Sequence, residues 1–386
     1  MKTTLMDGSE IVGNYSYQSG EVNKDQSAVK YQYIDSIRGI AILMVVLVHT
    51  MVGIQNLDRV TDVFAKYCQM GVQLFFVASA YTLCLSTKNR SHEKRPLRNY
   101  AIRRVFRITP IYWLGILLYF FISYLGVYNL AFFDIRNYTA LNLLANFLFL
   151  HGFLPSANNT IVPGGWSIAT EMTFYLLFPM IFKFTSRFIN SYSKIFLFVA
   201  MGIIVAQGLV QLFSWRGLYL ANNTFLYFNI ANQLPCFFIG IAYFFYLKLG
   251  EAKYSWYLDL FGCCFLTIAC LLLWYLKIGY LFSWIPVISS LSFVFLIELF
   301  RKNKGLNIRL LVEIGRVSFS MYLFHFLFAF GLDFLPLSWR SYGVFSLAFY
   351  FLLVVLSSYL VAKISFVTVE KPFIGLGKKL IDSIGR

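Results

Sequence analysis

The chain has 386 residues, of which 59 % are hydrophobic and only 13 % are charged, whereas roughly 25 % of the residues of a soluble domain are charged. So few polar groups cannot cover the apolar surface, which excludes a soluble globular protein. The 33 Lys and Arg residues outnumber the 17 acids and give a net charge of +16. Because the basic residues fall between apolar runs, they indicate a membrane protein and not a nucleic-acid-binding one.

The apolar runs predict an all-α, polytopic membrane protein with about ten transmembrane helices. A span needs about 20 apolar residues. The candidates are 37–55, 68–86, 108–126, 166–182, 195–213, 229–247, 256–275, 281–300, 317–335 and 342–362. Residues 1–30 are polar and predicted to form a disordered cytoplasmic tail, 31–377 the membrane domain, and 378–386 a basic cytoplasmic tail.

The apolar run 141–154 is too short for a span and precedes a Pro/Asn/Gly loop, so we interpret it as a re-entrant or surface segment on the outer face. With the N-terminus inside, the cytoplasmic side then collects 27 of the 33 Lys and Arg residues. If the run crossed, the basic clusters at 301–309 and 363–386 would face outward, against the positive-inside rule. Both termini are therefore predicted to be cytoplasmic.

The six cysteines lie in or beside apolar runs, and none has metal-ligand spacing with the four histidines. Neither a disulfide framework nor a metal site is predicted from them.

The first candidate functional segment begins at Asp35, contains Arg38 and reaches His49 inside the first span. Arg38 and His49 are about three helical turns apart, so they share a face at a separation of roughly 16 Å. An ionisable residue near mid-membrane is a functional candidate by default. A histidine that only hydrogen-bonds to a neighbouring helix would fit the pattern as well.

The second segment is the basic run 88–107, which ends in Arg103, Arg104 and Arg107. Topology and contact with anionic lipid explain most of its charges. Arg103 and Arg107 differ, because they lie one turn apart on a helical stretch and share a face. Guanidinium groups placed in that way can clamp phosphates.

The third segment contains Trp166, Ser167, Glu171 and Tyr175. In the predicted topology Glu171 lies roughly 7–8 Å below Trp166, at a depth where it could approach His49. A carboxylate beside an imidazole orients it and raises its basicity. The alternative is a structural salt bridge, which is less attractive because Glu171 is the only acid well inside a predicted span.

The fourth segment, Ser318 to His325, places a second histidine near mid-membrane, one turn from Tyr322. Two histidines at similar depth suggest a polar site between helices, although a structural hydrogen bond fits His325 equally. Of the other two, His92 is predicted to be solvated, and His151 is a weaker candidate for lining the entrance of an acceptor.

Six pieces of sequence, in the same order and with the same gaps, resemble the acyltransferase 3 family of integral membrane acyltransferases. The resemblance extends from about residue 33 to 377. The pieces are Ile34–Ala41 with His49, Phe75–Ser79, Arg103–Trp113, Trp166–Ser167 with Glu171, Ser318–His325, and Glu370–Phe373. Two positions depart from the family pattern: Ala80 replaces a usual Gly, and Phe319 a frequent Tyr.

The resemblance implies transfer of an acyl group, usually acetyl, from cytoplasmic acyl-CoA to a hydroxyl of a cell-surface glycan or lipid-linked sugar, such as O-antigen or exopolysaccharide. The expected location is the bacterial inner membrane. Acetyl-CoA is the expected donor substrate, and no metal is expected. Membrane lipid, the glycan acceptor and glycan-assembly proteins are the expected partners, with no nucleic acid.

These observations give a hypothesis for the site. Arginines would bind the coenzyme A phosphates, His49 would be the general base or a transient acyl carrier, and Glu171 would orient it. The arginines are Arg38, Arg103, Arg104 and Arg107, and the site-lining residues are Ser79, Trp166, Ser167, Tyr175, Tyr322 and His325. A transporter or flippase of a lipid-linked sugar is the alternative, since buried ionisable residues also suit proton coupling, and a scaffold for glycan machinery is a third reading.

Overall fold

The structure is a computed structural model that describes residues 31–127, 134–215, 224–250, 254–276, 283–331 and 337–385. The chain divides into the units Met1–Gln32 and Tyr33–Arg386. Only residues 31 and 32 of the first unit are described, so the predicted tail 1–30 lies outside the described residues. The described part is helical throughout and contains no strand, which confirms the predicted all-α class.

Fifteen α-helices occur in the described ranges. They are α1 Gln32–Thr50, α2 Arg59–Tyr67, α3 Gly71–Asn89, α4 Pro96–Tyr124, α5 Ala140–Phe147, α6 Gly165–Phe188, α7 Tyr192–Trp215, α8 Phe225–Phe228, α9 Ile230–Leu249, α10 Trp256–Leu276, α11 Ile285–Lys302, α12 Arg309–Arg316, α13 Ser318–Phe330, α14 Val344–Ser365 and α15 Lys371–Gly385. A π-helical stretch, Phe366–Glu370, joins α14 to α15. It lies just before Pro372, which has no N–H to continue the ladder.

Seven helical segments in the described ranges are long and apolar enough to cross a membrane. An eighth is the pair α12–α13, if these two helices, bent by 83° at Val317, form one broken span or re-entrant loop. The chain is therefore a multi-pass membrane protein, and the predicted ten spans are confirmed only to this extent. The two remaining predictions, 166–182 and 281–300, fall on α6 and α11. The 18 residues of α11 include three charged ones, so this helix carries more charge than the 18-residue apolar windows of the seven segments above. They are Glu298, Arg301 and Lys302.

The short run 141–154 overlaps α5, whose eight residues extend about 12 Å and are too short to cross a bilayer. The predicted span 317–335 is described up to residue 331. Its helix, α13, has only 13 residues and follows the sharp bend from α12. The bend lies at the first residue of the predicted span, between the charged helix α12 and the apolar helix α13.

The interior of the bundle is formed by α1, α3 and α9. Buried residues make up 78 % of the apolar window that includes α3 and 72 % of that in α9, against 11 % for α10 and 22 % for α7. The side chains of α7 and α10 therefore face lipid over most of their surface. All six cysteines are free, and no group of three or more potential metal ligands occurs in the described part of the chain.

Two glycines bring α1 and α12 into backbone contact. A Cβ on Gly315 would lie 1.8 Å from the carbonyl oxygen of Asp35, and one on Gly39 would lie 2.4 Å from that of Leu311. Small residues permit this approach between membrane helices. The contact places the first turns of α1 beside Arg316 at the end of α12.

The departure at Ala80 is accommodated by a glycine on the facing helix. A Cβ on Gly240 of α9 would lie 2.9 Å from the Cβ of Ala80 and 2.4 Å from the carbonyl oxygen of Val77. The methyl group of Ala80 therefore fits because position 240 carries no side chain.

Candidate active site

Three cavities follow one another through the bundle. A basic cavity of about 550 Å³ shares Arg38, Arg107, Ser318 and Phe319 with a central cavity of about 70 Å³. The central cavity shares Val72 and Tyr322 with an aromatic cavity of about 450 Å³. The shared walls place the three in a row, with the smallest in the middle.

Positive charge predominates in the basic cavity, whose wall contains seven basic and four acidic side chains. Both Nη atoms of Arg103 donate to the Glu93 carboxylate, at 2.9 and 3.1 Å. Burial raises the pKa of Glu93, but the hydrogen bonds from Arg103 and Asn99 and the charges of Arg103 and Arg90 together hold that pKa below its ordinary value. The guanidinium fork of Arg103 is thus already bound to a carboxylate.

Arg107 is different, because no hydrogen bond or ion pair holds its guanidinium within the described part of the chain. It lines both the basic and the central cavity. Arg38 lines the same two cavities, and its Nη2 donates to Thr82 at 3.3 Å. Arg104 is half-buried, its Nε atom is buried without a partner, and its guanidinium lies 5.4 Å from the ring centroid of Tyr175. A bound anion would satisfy these donors.

Glu171 lies in the central cavity with two hydroxyl groups. The Oγ of Ser79 donates to its carboxylate at 2.5 Å, and the hydroxyl of Tyr175 makes a second hydrogen bond to it. No hydrogen bond joins Glu171 to His49, which lines the aromatic cavity. The expected contact between these two residues is therefore absent from the described structure. The prediction compared their depths in the membrane, which does not fix their lateral separation.

His49 contacts the other mid-membrane histidine instead. Its Nδ1 lies 2.8 Å from the Val45 carbonyl oxygen and 3.2 Å from Nε2 of His325. The Nδ1 of His325 lies 2.8 Å from the Tyr322 carbonyl oxygen. Carbonyl oxygens only accept hydrogen bonds, so Nδ1 carries the hydrogen in both neutral rings.

This assignment determines which nitrogen of His49 can act as a base. His325 Nε2 has a lone pair and shares the single hydrogen of His49 Nδ1 with the Val45 carbonyl oxygen. The Nε2 atom of His49 then has a lone pair as well, and it has no hydrogen-bond partner in the described ranges. The ring also packs on Phe326 at a centroid distance of 4.4 Å. The arrangement holds an imidazole with a free basic nitrogen at the wall of the aromatic cavity.

A chain of hydrogen bonds fixes the boundary between the central and aromatic cavities. Ser167 Oγ lies 2.8 Å from the Tyr322 hydroxyl, which in turn lies 2.9 Å from the Gly164 carbonyl oxygen. Gly164 has φ +76°, and a Cβ there would lie 2.8 Å from the Tyr322 hydroxyl. The next turn presents Trp166, which stacks on Phe228 at 4.5 Å. Both rings line the aromatic cavity.

His151 packs against the start of α6. It is fully buried, and its Nε2 lies 3.0 Å from the carbonyl oxygen of Gly165 at the start of α6. Burial lowers its pKa to about 4, so the ring is neutral near pH 7. His151 was the weaker candidate for lining the entrance of an acceptor, and it does not line the aromatic cavity. His92 is exposed.

Three polar residues at the cavities had no role predicted from the sequence. Asn158 is 3 % exposed, both of its amide atoms lack a partner in the described ranges, and it lines the aromatic cavity. Gln73 lines the same cavity with an unpartnered Oε1. Glu370 lines the basic cavity and accepts a hydrogen bond from Ser320. Among these, only Glu370 had a signal, as part of a resemblance motif.

The fold and the site define a multi-pass membrane protein with a polar site between basic and aromatic cavities. The family model described as "Acyltransferase domain" matches residues 31–363, so the chain belongs to the acyltransferase 3 family. No curated protein and no solved structure matches the chain. The match contains every predicted site residue, whereas Glu370 lies beyond it.

Proposed function

We propose that the protein transfers an acyl group, most simply acetyl, from the thioester of coenzyme A to a hydroxyl of a glycan or lipid-linked sugar. The row of three cavities supports this proposal. One end presents unpaired guanidinium groups, and the other presents aromatic and amide side chains together with an imidazole that has a free nitrogen.

The donor would enter through the basic cavity. Arg107 and Arg104 would bind the phosphates, since their donors are not committed to a carboxylate. Arg103 would contribute charge while remaining bound to Glu93. The narrow pantetheine arm would then extend past Arg38 and Phe319 into the central cavity, so that the thioester reaches the region of Tyr322 and His49.

His49 would act as the general base. Its Nε2 takes the proton of the acceptor hydroxyl as the oxygen attacks the thioester carbonyl carbon. The C–S bond of the resulting tetrahedral intermediate then breaks, and the imidazolium returns the proton to the leaving thiolate. The products are the acyl ester and coenzyme A. His325 would position His49 by accepting the hydrogen bond from its Nδ1.

The aromatic cavity would bind the acceptor. Asn158 and Gln73 have amide atoms without partners there, and amides are suited to pairing with hydroxyl groups. Aromatic rings supply flat apolar surfaces against which a sugar ring packs.

The topology that fits this assignment has the basic cavity on the cytoplasmic side, where acyl-CoA is available, with both termini on the same side. The protein would lie in a bacterial inner membrane with about ten crossings, two of them by α6 and α11. A flippase would have to pass a whole sugar through the middle of the bundle. The central cavity of about 70 Å³ instead supports transfer of a small group between two bound substrates.

The test is acyl transfer by purified protein in proteoliposomes, with radiolabelled acetyl-CoA and a lipid-linked glycan extract. The wild type, His49→Ala and His92→Ala are compared. His92 is exposed and lines none of the three cavities, so it is the matched control. We expect transfer by the wild type and the control, and a loss of roughly 10²–10⁴-fold for His49→Ala. Full activity of His49→Ala would contradict the mechanism, and failure of the wild type to bind coenzyme A would contradict the proposed donor.

A further inference from the structure

A fourth cavity, of about 410 Å³, opens at one end of the bundle and is called the lateral cavity here. It lies between the last turns of α3, α6 and α9 and the first turn of α4. It is separate from the row of three cavities, except that Arg90 and Arg103 line both the lateral and the basic cavity. The assigned chemistry does not use it.

The charge of the lateral cavity is entirely positive. Its wall contains five basic side chains and no acidic one. They are Lys88, Arg90, Arg103, Lys183 and Lys248. Arg90 and Arg103 both pair with Glu93, whereas none of the three lysines has a carboxylate within 4 Å in the described ranges. Several like charges around one volume repel each other unless an anion lies among them, so the wall favours an anionic ligand.

The floor of the cavity is apolar, which a free phosphate would not require. Phe178 and Phe182 stack at 5.5 Å, and Phe182 lies 6.0 Å from Phe244. Four serine and threonine residues complete the polar rim: Ser86, Thr87, Ser91 and Ser186. The ligand that matches both parts carries a negative headgroup together with hydrocarbon.

The position of the cavity agrees with such a ligand. Three candidate membrane helices reach their ends around it: Lys88 lies in the last turn of α3 and Lys248 in that of α9, while Pro96 begins α4. Charged residues at helix ends lie at the level of the lipid headgroups. Basic pockets between such helices bind anionic headgroups.

We infer that the lateral cavity is a binding site for an anionic phospholipid. The lysines contact its phosphate, the hydroxyl groups of the rim donate to its headgroup, and its acyl chains lie along the phenylalanine floor. The inference does not depend on the proposed function.

The test measures lipid binding to the full-length protein by native mass spectrometry in detergent, with phosphatidylglycerol and phosphatidylcholine of identical acyl chains. The variants are Lys183→Gln, Lys248→Gln and their combination. Lys194→Gln is the matched control. Lys194 lies outside the cavity, and its Nζ is 5.6 Å from the ring centroid of Phe188, much as Lys248 lies 5.5 Å from Phe245. The lysines at 183 and 248 are exposed, so unchanged thermal unfolding verifies the fold.

We expect the wild type and the control to bind phosphatidylglycerol more tightly than phosphatidylcholine. Each lysine removed from the cavity should weaken phosphatidylglycerol binding by roughly fivefold and leave phosphatidylcholine binding unchanged. Equal affinity for the two lipids, or an equal loss in Lys194→Gln, would overturn the inference. So would displacement of the lipid by inorganic phosphate or by coenzyme A, which would assign the cavity to a free anion or to the donor.

Discussion

His325 Nε2 lies 3.2 Å from His49 Nδ1, although the two residues are 276 positions apart in the chain. Both rings are anchored by carbonyl oxygens of their own helices. The contact therefore fixes the relative rotation of α1 and α13, and it determines which nitrogen of His49 is left to accept a proton.

The first prediction concerns His325 as a positioning residue. We expect His325→Ala to lower kcat by about tenfold, which corresponds to one lost hydrogen bond, and to leave the KM for acetyl-CoA unchanged. His325→Gln should recover part of the loss, because an amide oxygen can accept from His49 Nδ1–H. Steady-state kinetics in proteoliposomes measure both. A loss in His325→Ala as large as that in His49→Ala would show that His325 takes part in the proton transfer itself.

The second prediction tests whether Glu171 affects the use of acetyl-CoA in the central cavity or acts on the base His49. Because its carboxylate accepts hydrogen bonds from Ser79 and Tyr175, we expect Glu171→Gln to lower kcat/KM for acetyl-CoA without changing the shape of the pH–rate profile. Tyr175→Phe removes one of the two donors and should give a smaller loss of the same kind. A shift of the apparent pKa of kcat in Glu171→Gln would instead indicate that Glu171 acts on His49.

The third prediction uses the unpaired guanidinium of Arg107. Its replacement breaks no ion pair in the described part of the chain, so Arg107→Gln should fold normally. We expect the KM for acetyl-CoA, or the Kd for coenzyme A, to rise by roughly 10- to 100-fold, as for loss of a charge-assisted hydrogen bond.

Arg98→Gln is the control for that experiment. Arg98 lies on the same helix, donates to Asn99 and lines none of the four cavities. An equal rise in both variants would mean that net charge, and not the position of Arg107, determines donor binding.

The fourth prediction tests the contact between α3 and α9. Gly240→Ala should lower the free energy of unfolding by about 1–3 kcal/mol, because the new Cβ meets a backbone carbonyl that cannot move alone. Gly208→Ala is the control, since no atom lies within 4 Å of a Cβ built there. It should be neutral or stabilise by up to about 1 kcal/mol. Thermal unfolding in detergent measures the difference, and equal melting temperatures would contradict the packing.

Apolar runs predicted most of the helices but not the polar ends that pack inside the protein. The first span was expected at 37–55, whereas α1 covers Gln32–Thr50, because its first turn is buried against α12. The amphipathic helices α2 and α15 gave no signal at all. Their apolar residues are spaced around a helix and not gathered in a run, so a hydropathy criterion does not detect them.

The site was predictable in its components and less so in its contacts. Equal depth suggested that His49 and His325 belong together, and their rings are 5.1 Å apart. The same reasoning joined His49 to Glu171, where it failed, since depth is one coordinate of three. Asn158 was read only as part of a loop, because burial without a partner is a tertiary property.

The backbone contact between Gly315 and Asp35 leaves no space for α12 to slide along α1. The bend at Val317 is therefore fixed in position. It holds the next two residues, Ser318 and Phe319, at the narrow junction of the basic and central cavities. We therefore expect the junction to widen by rotation of the side chains that line it, among them Phe319. Side-chain rotations are faster than the microsecond-to-millisecond displacement of whole helices, so we expect the junction to open and close without movement of a helix.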